Sequence, residues 1–254
     1  MADKPELEIV IPVYNEGANI VPCLRSLKAH VTTSFRVLIC YDMEEDTTLP
    51  ALADPSLAGV DIRPVRNPGR GPHSAVLEGF RVSTAPAVIQ MPADDDYNGA
   101  IIDVMVERFR SGHDVVAASR FMPGGGGLQG CPWTKAILVQ IADFLLFHLA
   151  RVPTHDATNG FKLYSRRLLT TVAMESSAGH TFGIELTVKA HRLRWRISEV
   201  PSKWHERSDR KSRFRIFKWM PAYLRWFFYS FATTWLRRGP DSVPRVAERS
   251  PGDA

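Results

Sequence analysis

Over the first 120 residues, short apolar runs alternate with stretches in which apolar residues recur every three or four positions. The runs are Leu7–Val13, Arg36–Tyr41, Val60–Val65, Ala87–Met91 and Val115–Ser119. The stretches between them, such as Ile20–His30, His73–Val82 and Ile101–Ser111, have helical periodicity. Short strands separated by helices predict β-α-β units and a mostly parallel central sheet, an α/β fold. Ligands of such sheets collect at the carboxyl ends of the strands. The polar clusters "VYNE", "YD", "MPADDD" and "SR" each follow directly on an apolar run, so they are expected along one edge.

The second half is less regular. "FMPGGGGLQGCP" has four successive glycines, which predict a mobile loop. Trp133–Val152 is a strongly apolar helix candidate. "THDATNGFKLY" predicts a turn and then a strand. Thr181–Arg194 has a helical pattern, Trp195–Trp204 an extended one, and Phe214–Arg238 forms an aromatic helix. From Gly239 on, proline, serine and charge predict a disordered tail. No internal repeat is present.

Composition adds limits. The 254 residues are 44% hydrophobic and 23% charged, ordinary for a globular protein with a sizeable core. "MADKPELE" has no apolar h-region, so no secretory signal is expected. The cysteines, Cys23, Cys40 and Cys131, are too few and too scattered for a disulfide framework or zinc site. These features suit a cytoplasmic protein. Between Lys203 and Lys218 there are seven basic and two acidic residues, a local excess equal to the chain's net +5. That patch implies an anionic partner: phosphate, lipid headgroup or nucleic acid.

The candidate chemistry sits at the strand ends. Asp94 and Asp96 are two apart, so both carboxylates can face one hard cation such as Mg²⁺ or Mn²⁺. The alternative is an acidic loop in which Asp95 or Asp96 caps the helix starting near Gly99. In "IVIPVYNEGANI", an aromatic ring beside a carboxylate can form a nucleobase platform, or simply a turn and helix start. In "RNPGRGPHSAVLEG", Gly69 and Gly71 precede a helix, where backbone N–H groups can approach a phosphate. The spacing is neither a dinucleotide fingerprint nor a P-loop.

Taken together, Pro-x-Tyr-Asn-Glu, Asp42, "NPGRG" and the acidic cluster near residue 94 resemble glycosyltransferase family 2, with its GT-A nucleotide-sugar fold. "DVVAASRFMPGGG", "HDATNGFKLYSRR", "FGIELTVKAHRLRWRISEVPSKWHER" and "KSRF" resemble its dolichol-phosphate mannose synthase branch, over about residues 7–236. The resemblance implies transfer of a hexose, mannose or glucose, from a GDP- or UDP-linked donor to a polyprenyl phosphate, with inversion. It implies that Pro12, Tyr14, Glu16 and Asp42 hold the nucleoside, with Arg66 near base or phosphates and Gly71 at the phosphate turn. Asp94 and Asp96 would hold Mg²⁺ or Mn²⁺, Asp94 being also catalytic. Arg120, Lys162 and Arg207 match basic positions that contact phosphate, with Ser212 close to Arg207. Pro92 stands where the branch carries its first acid. His155 and Asp156 resemble half of a dyad, but a turn in which Asp156 caps backbone and positions "TNGF" is the simpler reading.

The expected organisation is a GT-A domain over residues 1–212, an amphipathic interfacial helix over 213–238 and a disordered tail over 239–254. The expected partners are the donor, the polyprenyl phosphate, an anionic membrane surface met peripherally from the cytoplasm, and a second copy of the chain, but no nucleic acid. A family 2 enzyme with another acceptor, and a weakened sugar-nucleotide-binding protein, are the alternatives.

Overall fold

A seven-stranded sheet organises the chain in the computed structural model, which describes residues 4–205 and 216–246. The first half runs β1 (Leu7–Pro12), α1 (Ile20–His30), β2 (Phe35–Tyr41), α2 (Thr48–Ala51), β3 (Ile62–Arg66), α3 (Gly71–Val82), β4 (Ala87–Gln90), α4 (Ile102–Arg110) and β5 (Val115–Ser119). The second half runs β6 (Leu128–Gln129), α5 (Trp133–His148), β7 (Lys162–Ser165), α6 (Arg166–Thr171), α7 (Thr181–Arg192), β8 (Ile197–Pro201), β9 (Trp204–His205) and α8 (Ile216–Trp235). The large sheet has the order β3-β2-β1-β4-β7-β5-β8, and β7 alone among its strands runs antiparallel to its neighbours. β6 and β9 form a separate two-stranded sheet.

The strands read as continuous apolar runs because both faces of the sheet are covered. Ile9, Ile11, Val37, Ile39 and Ile89 pack with α1 and α4 on one face. Val10, Leu38, Cys40 and Val88 pack with α3 and α7 on the other. α3 lies very close to the sheet: a Cβ at Gly79 would stand 2.4 Å from Val10 Cγ1. That contact fixes the height of the α3 N-terminus above the strand ends.

Three features differ from the sequence expectation. First, α8 is not a separate appendage. Trp226 is buried in a third cluster with Leu146, Ala150, Val152, Ile184 and Val188, and Phe227 and Phe231 pack against it. Second, residues 239–246 are not a loose tail. A short helical turn spans Pro240–Ser242, Val243 is buried, and Ala173 N and Val246 N donate to the carbonyls of Pro244 and Thr171. Third, the glycine-rich stretch is pinned. Gly126 N donates to Ser202 O and Gly127 N to Arg120 O, leading directly into β6. In each case the partner is remote in sequence, where local composition does not reach. All three cysteines are free, Cys23 and Cys40 being buried.

Candidate active site

The parallel strands end along one edge, and the turn at each end is held by side-chain hydrogen bonds. After β1, Asn15 adopts φ 54°. This left-handed conformation is held by buried Asp46, whose two oxygens accept from Asn15 N at 3.1 and 3.0 Å. Thr48 Oγ1 accepts from Glu16 N at 3.0 Å. The turn leaves Tyr14 on the surface, 44% exposed.

The β3–α3 turn is clamped from β2. Asp42 Oδ1 accepts from Asn67 Nδ2 at 2.7 Å and Asp42 Oδ2 from Gly71 N at 2.8 Å. Asn67 Oδ1 in turn accepts from Gly69 N and Ser74 Oγ. Two expectations change here. The Gly71 amide, expected at a phosphate, is directed at Asp42, because Gly71 at φ 85° turns its N–H back toward β2. Asp42 holds the turn through both oxygens rather than standing open. Asn67 was not singled out in the sequence, and "NPG" gave it only the appearance of a turn residue. Arg66 is exposed and lies 3.4 Å from Glu44.

The acidic loop follows β4, next to β1, where the strand order reverses. Such a reversal opens a crevice at the strand ends. The three aspartates divide their roles. Asp95 is buried and accepts from Asn98 N at 3.0 Å, Asn98 Nδ2 at 2.7 Å and Tyr97 N. Burial pushes its carboxyl up to about 6 against those hydrogen bonds. Asp94 and Asp96 are exposed on either side, with no hydrogen bond or ion pair among the described residues. Asp95 thus holds the loop ahead of the helical turn at Gly99–Ile101, whose N-cap is Asn98, and leaves a pair of open carboxylates beside it. No group of three or more His, Cys, Asp or Glu among the described residues makes a complete metal cage. Two hard carboxylate donors still fit a divalent cation whose remaining positions go to water and phosphate oxygens. Asn98 Nδ2 also donates to Lys203 O, and Tyr97 accepts from His205 N at 3.1 Å. The chain therefore enters the basic segment from beside the acidic loop. Arg207 and Ser212 lie outside the described residues.

On the far side of β4, the register sets Lys162 between Gln90 and Ala117. Lys162 is fully buried, and its ammonium donates to the carbonyls of Ala157 (2.9 Å) and Asn159. Its expected phosphate contact is not what the structure shows, since β7 directs the side chain under the 157–160 turn. Burial lowers its pKa to about 8. Arg120 is 11% exposed and paired with fully buried Asp156: Nε to Oδ2 and Nη2 to Oδ1, each 2.7 Å. Arg120 Nη1 has no partner among the described residues. Asp156 belongs to this pair and to the turn rather than to a dyad. His155 Nδ1 meets Glu199 Oε1 at 2.5 Å instead.

The edge thus carries an exposed aromatic ring beside β1, two open carboxylates after β4, and a largely buried guanidinium after β5. Residues 8–172 match the family model described as "Glycosyl transferase family 2". The chain is 27% identical over 231 residues to polyprenol monophosphomannose synthase of Mycolicibacterium smegmatis, covering 83% of this chain and 85% of that one. It is also 27% identical over 215 residues to glycosyltransferase AglD of Haloferax volcanii, of whose length the match spans 34%. Among solved structures, glucosyl-3-phosphoglycerate synthase of Mycobacterium tuberculosis, in complex with Mn²⁺, UDP-glucose and phosphoglyceric acid, superposes with a TM-score of 0.64 at 17% identity. That match covers 90% of this chain and 80% of the other. The same enzyme with Mg²⁺ and UDP gives 0.58 at 19% identity, covering 91% and 79%.

Proposed function

From the premise that this chain belongs to glycosyl transferase family 2, we propose that it moves a hexose from a GDP- or UDP-linked donor to a polyprenyl phosphate, inverting the anomeric carbon. The observation that carries this reading is the strand-edge sequence: aromatic ring and turns at β1–β3, open carboxylates at β4 and the Arg120 guanidinium at β5. It orders nucleoside, diphosphate and acceptor along one crevice. The similarity to polyprenol monophosphomannose synthase over most of both chains supports a lipid phosphate as acceptor.

Tyr14 would offer a face for the base, with Pro12, Glu16 and Arg66 as further contacts of the nucleoside or its phosphates. Asp42 and Gly71 act indirectly, by fixing the β3–α3 turn. Asp94 and Asp96 would hold Mg²⁺ or Mn²⁺, which when bound neutralises charge on the leaving nucleoside diphosphate. A phosphate monoester has its second pKa near 6, so the acceptor arrives as a dianion and needs no general base. It needs cations, and Arg120 and Arg207 supply them, with Ser212 beside Arg207 in sequence. Lys162 supports the 157–160 turn from beneath. Arg207→Ala should raise the acceptor KM about tenfold or more and leave donor affinity within twofold, measured by initial rates and calorimetry. Equal loss of donor affinity would contradict the assignment.

The acceptor's tail stays in a bilayer, so the enzyme must reach it there. No helix among the described residues is long and apolar enough to cross a membrane. α5 and α8 instead expose Trp133 (74%), Ile137, Ile141, Phe144, Leu224, Phe228 (63%) and Trp235. They adjoin at their C-terminal ends, where Trp235 Nε1 donates to Leu149 O. Asp143 is the one carboxylate on either helix and is buried. Arg151, Arg237 and Arg238 stand exposed at the helix ends. An apolar aromatic face with exposed arginines at its helix ends suits an anionic bilayer interface. The face expected on α8 alone is therefore shared with α5. Vesicles containing anionic lipid should float the protein at low salt and release it at high salt. Phe144→Ser with Phe228→Ser should abolish flotation. Flotation by the double variant, or a dimer that the double variant disrupts, would contradict membrane docking.

A further inference from the structure

Four charged side chains meet behind the acceptor end of the crevice. Arg120 follows β5, Asp156 precedes β7, Lys162 opens β7, and Asp143 lies on the inner side of α5. Asp143, Asp156 and Lys162 are fully buried, and Arg120 alone retains solvent contact. Asp143 is fixed by one residue: Oδ1 accepts from Thr158 N at 3.1 Å and Oδ2 from Thr158 Oγ1 at 2.8 Å. It thereby ties α5 to the turn that carries Asp156 and Asn159. Tyr223 of α8 also faces the cluster. With all four groups ionised, two cations and two anions cancel, and Arg120 presents no net charge to an incoming anion.

We propose that Asp143 is a positioning residue whose proton sets how strongly Arg120 holds the acceptor phosphate. This deepens the reading of Arg120 as an acceptor contact and rests on it. When Asp143 is ionised, Arg120 is neutralised by its surroundings. When Asp143 takes a proton from solvent, the cluster carries one net positive charge, and Arg120 Nη1 is the group that meets it with solvent. Thr158 accommodates both states, because its hydroxyl can donate to the carboxylate or turn and accept from the acid. Burial, and next the charge of Asp156, push the Asp143 carboxyl up to about 8, against the pull of Arg120 and Thr158. The exchange therefore falls just above neutral pH. Anion binding at Arg120 raises that value further, so acceptor binding takes up a proton.

The sign follows. The acceptor is already a dianion at pH 7 and does not titrate between pH 7 and 9. Asp143 loses its proton as pH rises through about 8, so acceptor binding weakens above that point. Initial rates with a short-chain polyprenyl phosphate should show the acceptor KM rising about tenfold from pH 7 to 9, with the donor KM unchanged. In Asp143→Asn, which keeps both Thr158 contacts, the acceptor KM should be flat at the low-pH value. Lys162 titrates near the same pH. A slope that survives in Asp143→Asn would belong to Lys162 and overturn the proposal, as would a flat wild-type profile. If no lipid product forms at any pH, the proposed function fails, and calorimetry with inorganic phosphate at pH 8.5 in two buffers of different ionisation enthalpy decides the proton linkage alone. Proton uptake by the wild type and none by Asp143→Asn supports it; no uptake by the wild type overturns it.

Discussion

Asp94→Asn is expected to lower sugar transfer by about 100-fold or more and to leave the melting temperature within a degree or two of wild type. The two halves of that result have separate causes. Asp94 is exposed and makes no hydrogen bond or ion pair among the described residues, so its charge does little for the fold. In the proposed transfer its carboxylate would help hold a divalent cation, which would supply positive charge to the leaving diphosphate, and losing such stabilisation costs about 10²–10³ in rate. The neighbouring residue provides the contrast. Asp95→Asn keeps the oxygen that accepts from Tyr97 N and Asn98 N but sets an NH₂ against Asn98 Nδ2 in place of the buried Oδ2 acceptor, and should destabilise the fold by about 1–3 kcal/mol. Rates with and without EDTA, alongside thermal melts of both variants, separate the two roles. Full activity of folded Asp94→Asn would remove the metal from the account.

Trp226→Ala should cost about 3–5 kcal/mol of stability, the range for emptying a large buried aromatic site. Trp226 is 1% exposed and touches α5 and α7 through Leu146, Ile184 and Val188. Lys189 Nζ and Arg225 Cζ lie 4.9 and 4.8 Å from its ring centroid, and both cations also pair with Glu175. The substitution therefore opens a cavity and loosens a buried charge network together. Urea unfolding followed by circular dichroism measures it. A helix that merely lay on a membrane would give no such loss in detergent-free buffer.

That contrast shows where the sequence was legible. The strands and the shared polar edge could be read because burial on both faces of the sheet leaves apolar runs, as in residues 9–12 and 115–118. The open carboxylates were legible because they stand side by side in the chain. What could not be read depends on partners far apart in sequence. Arg120 pairs with Asp156 thirty-six residues on. Gly71 N turns back to Asp42 twenty-nine residues earlier. Lys162 had the charge of a phosphate ligand, but the strand pairing on both sides of β7 buries it. Asp143 gave no signal inside an apolar helix, since only its burial and its link to Thr158 set it apart. The aromatic positions of α8 had one helical period, yet the fold divides them between core and surface.

Transfer of the sugar to a lipid phosphate is read from its product. The protein is incubated with α-linked GDP-mannose or UDP-glucose, Mn²⁺ and a polyprenyl phosphate, and the organic extract is analysed by mass spectrometry and NMR. The account predicts a lipid-linked hexosyl phosphate of β configuration from at least one donor, absent with Asp94→Asn. An α-linked product, or donor consumption with sugar only on a water-soluble acceptor, would contradict it.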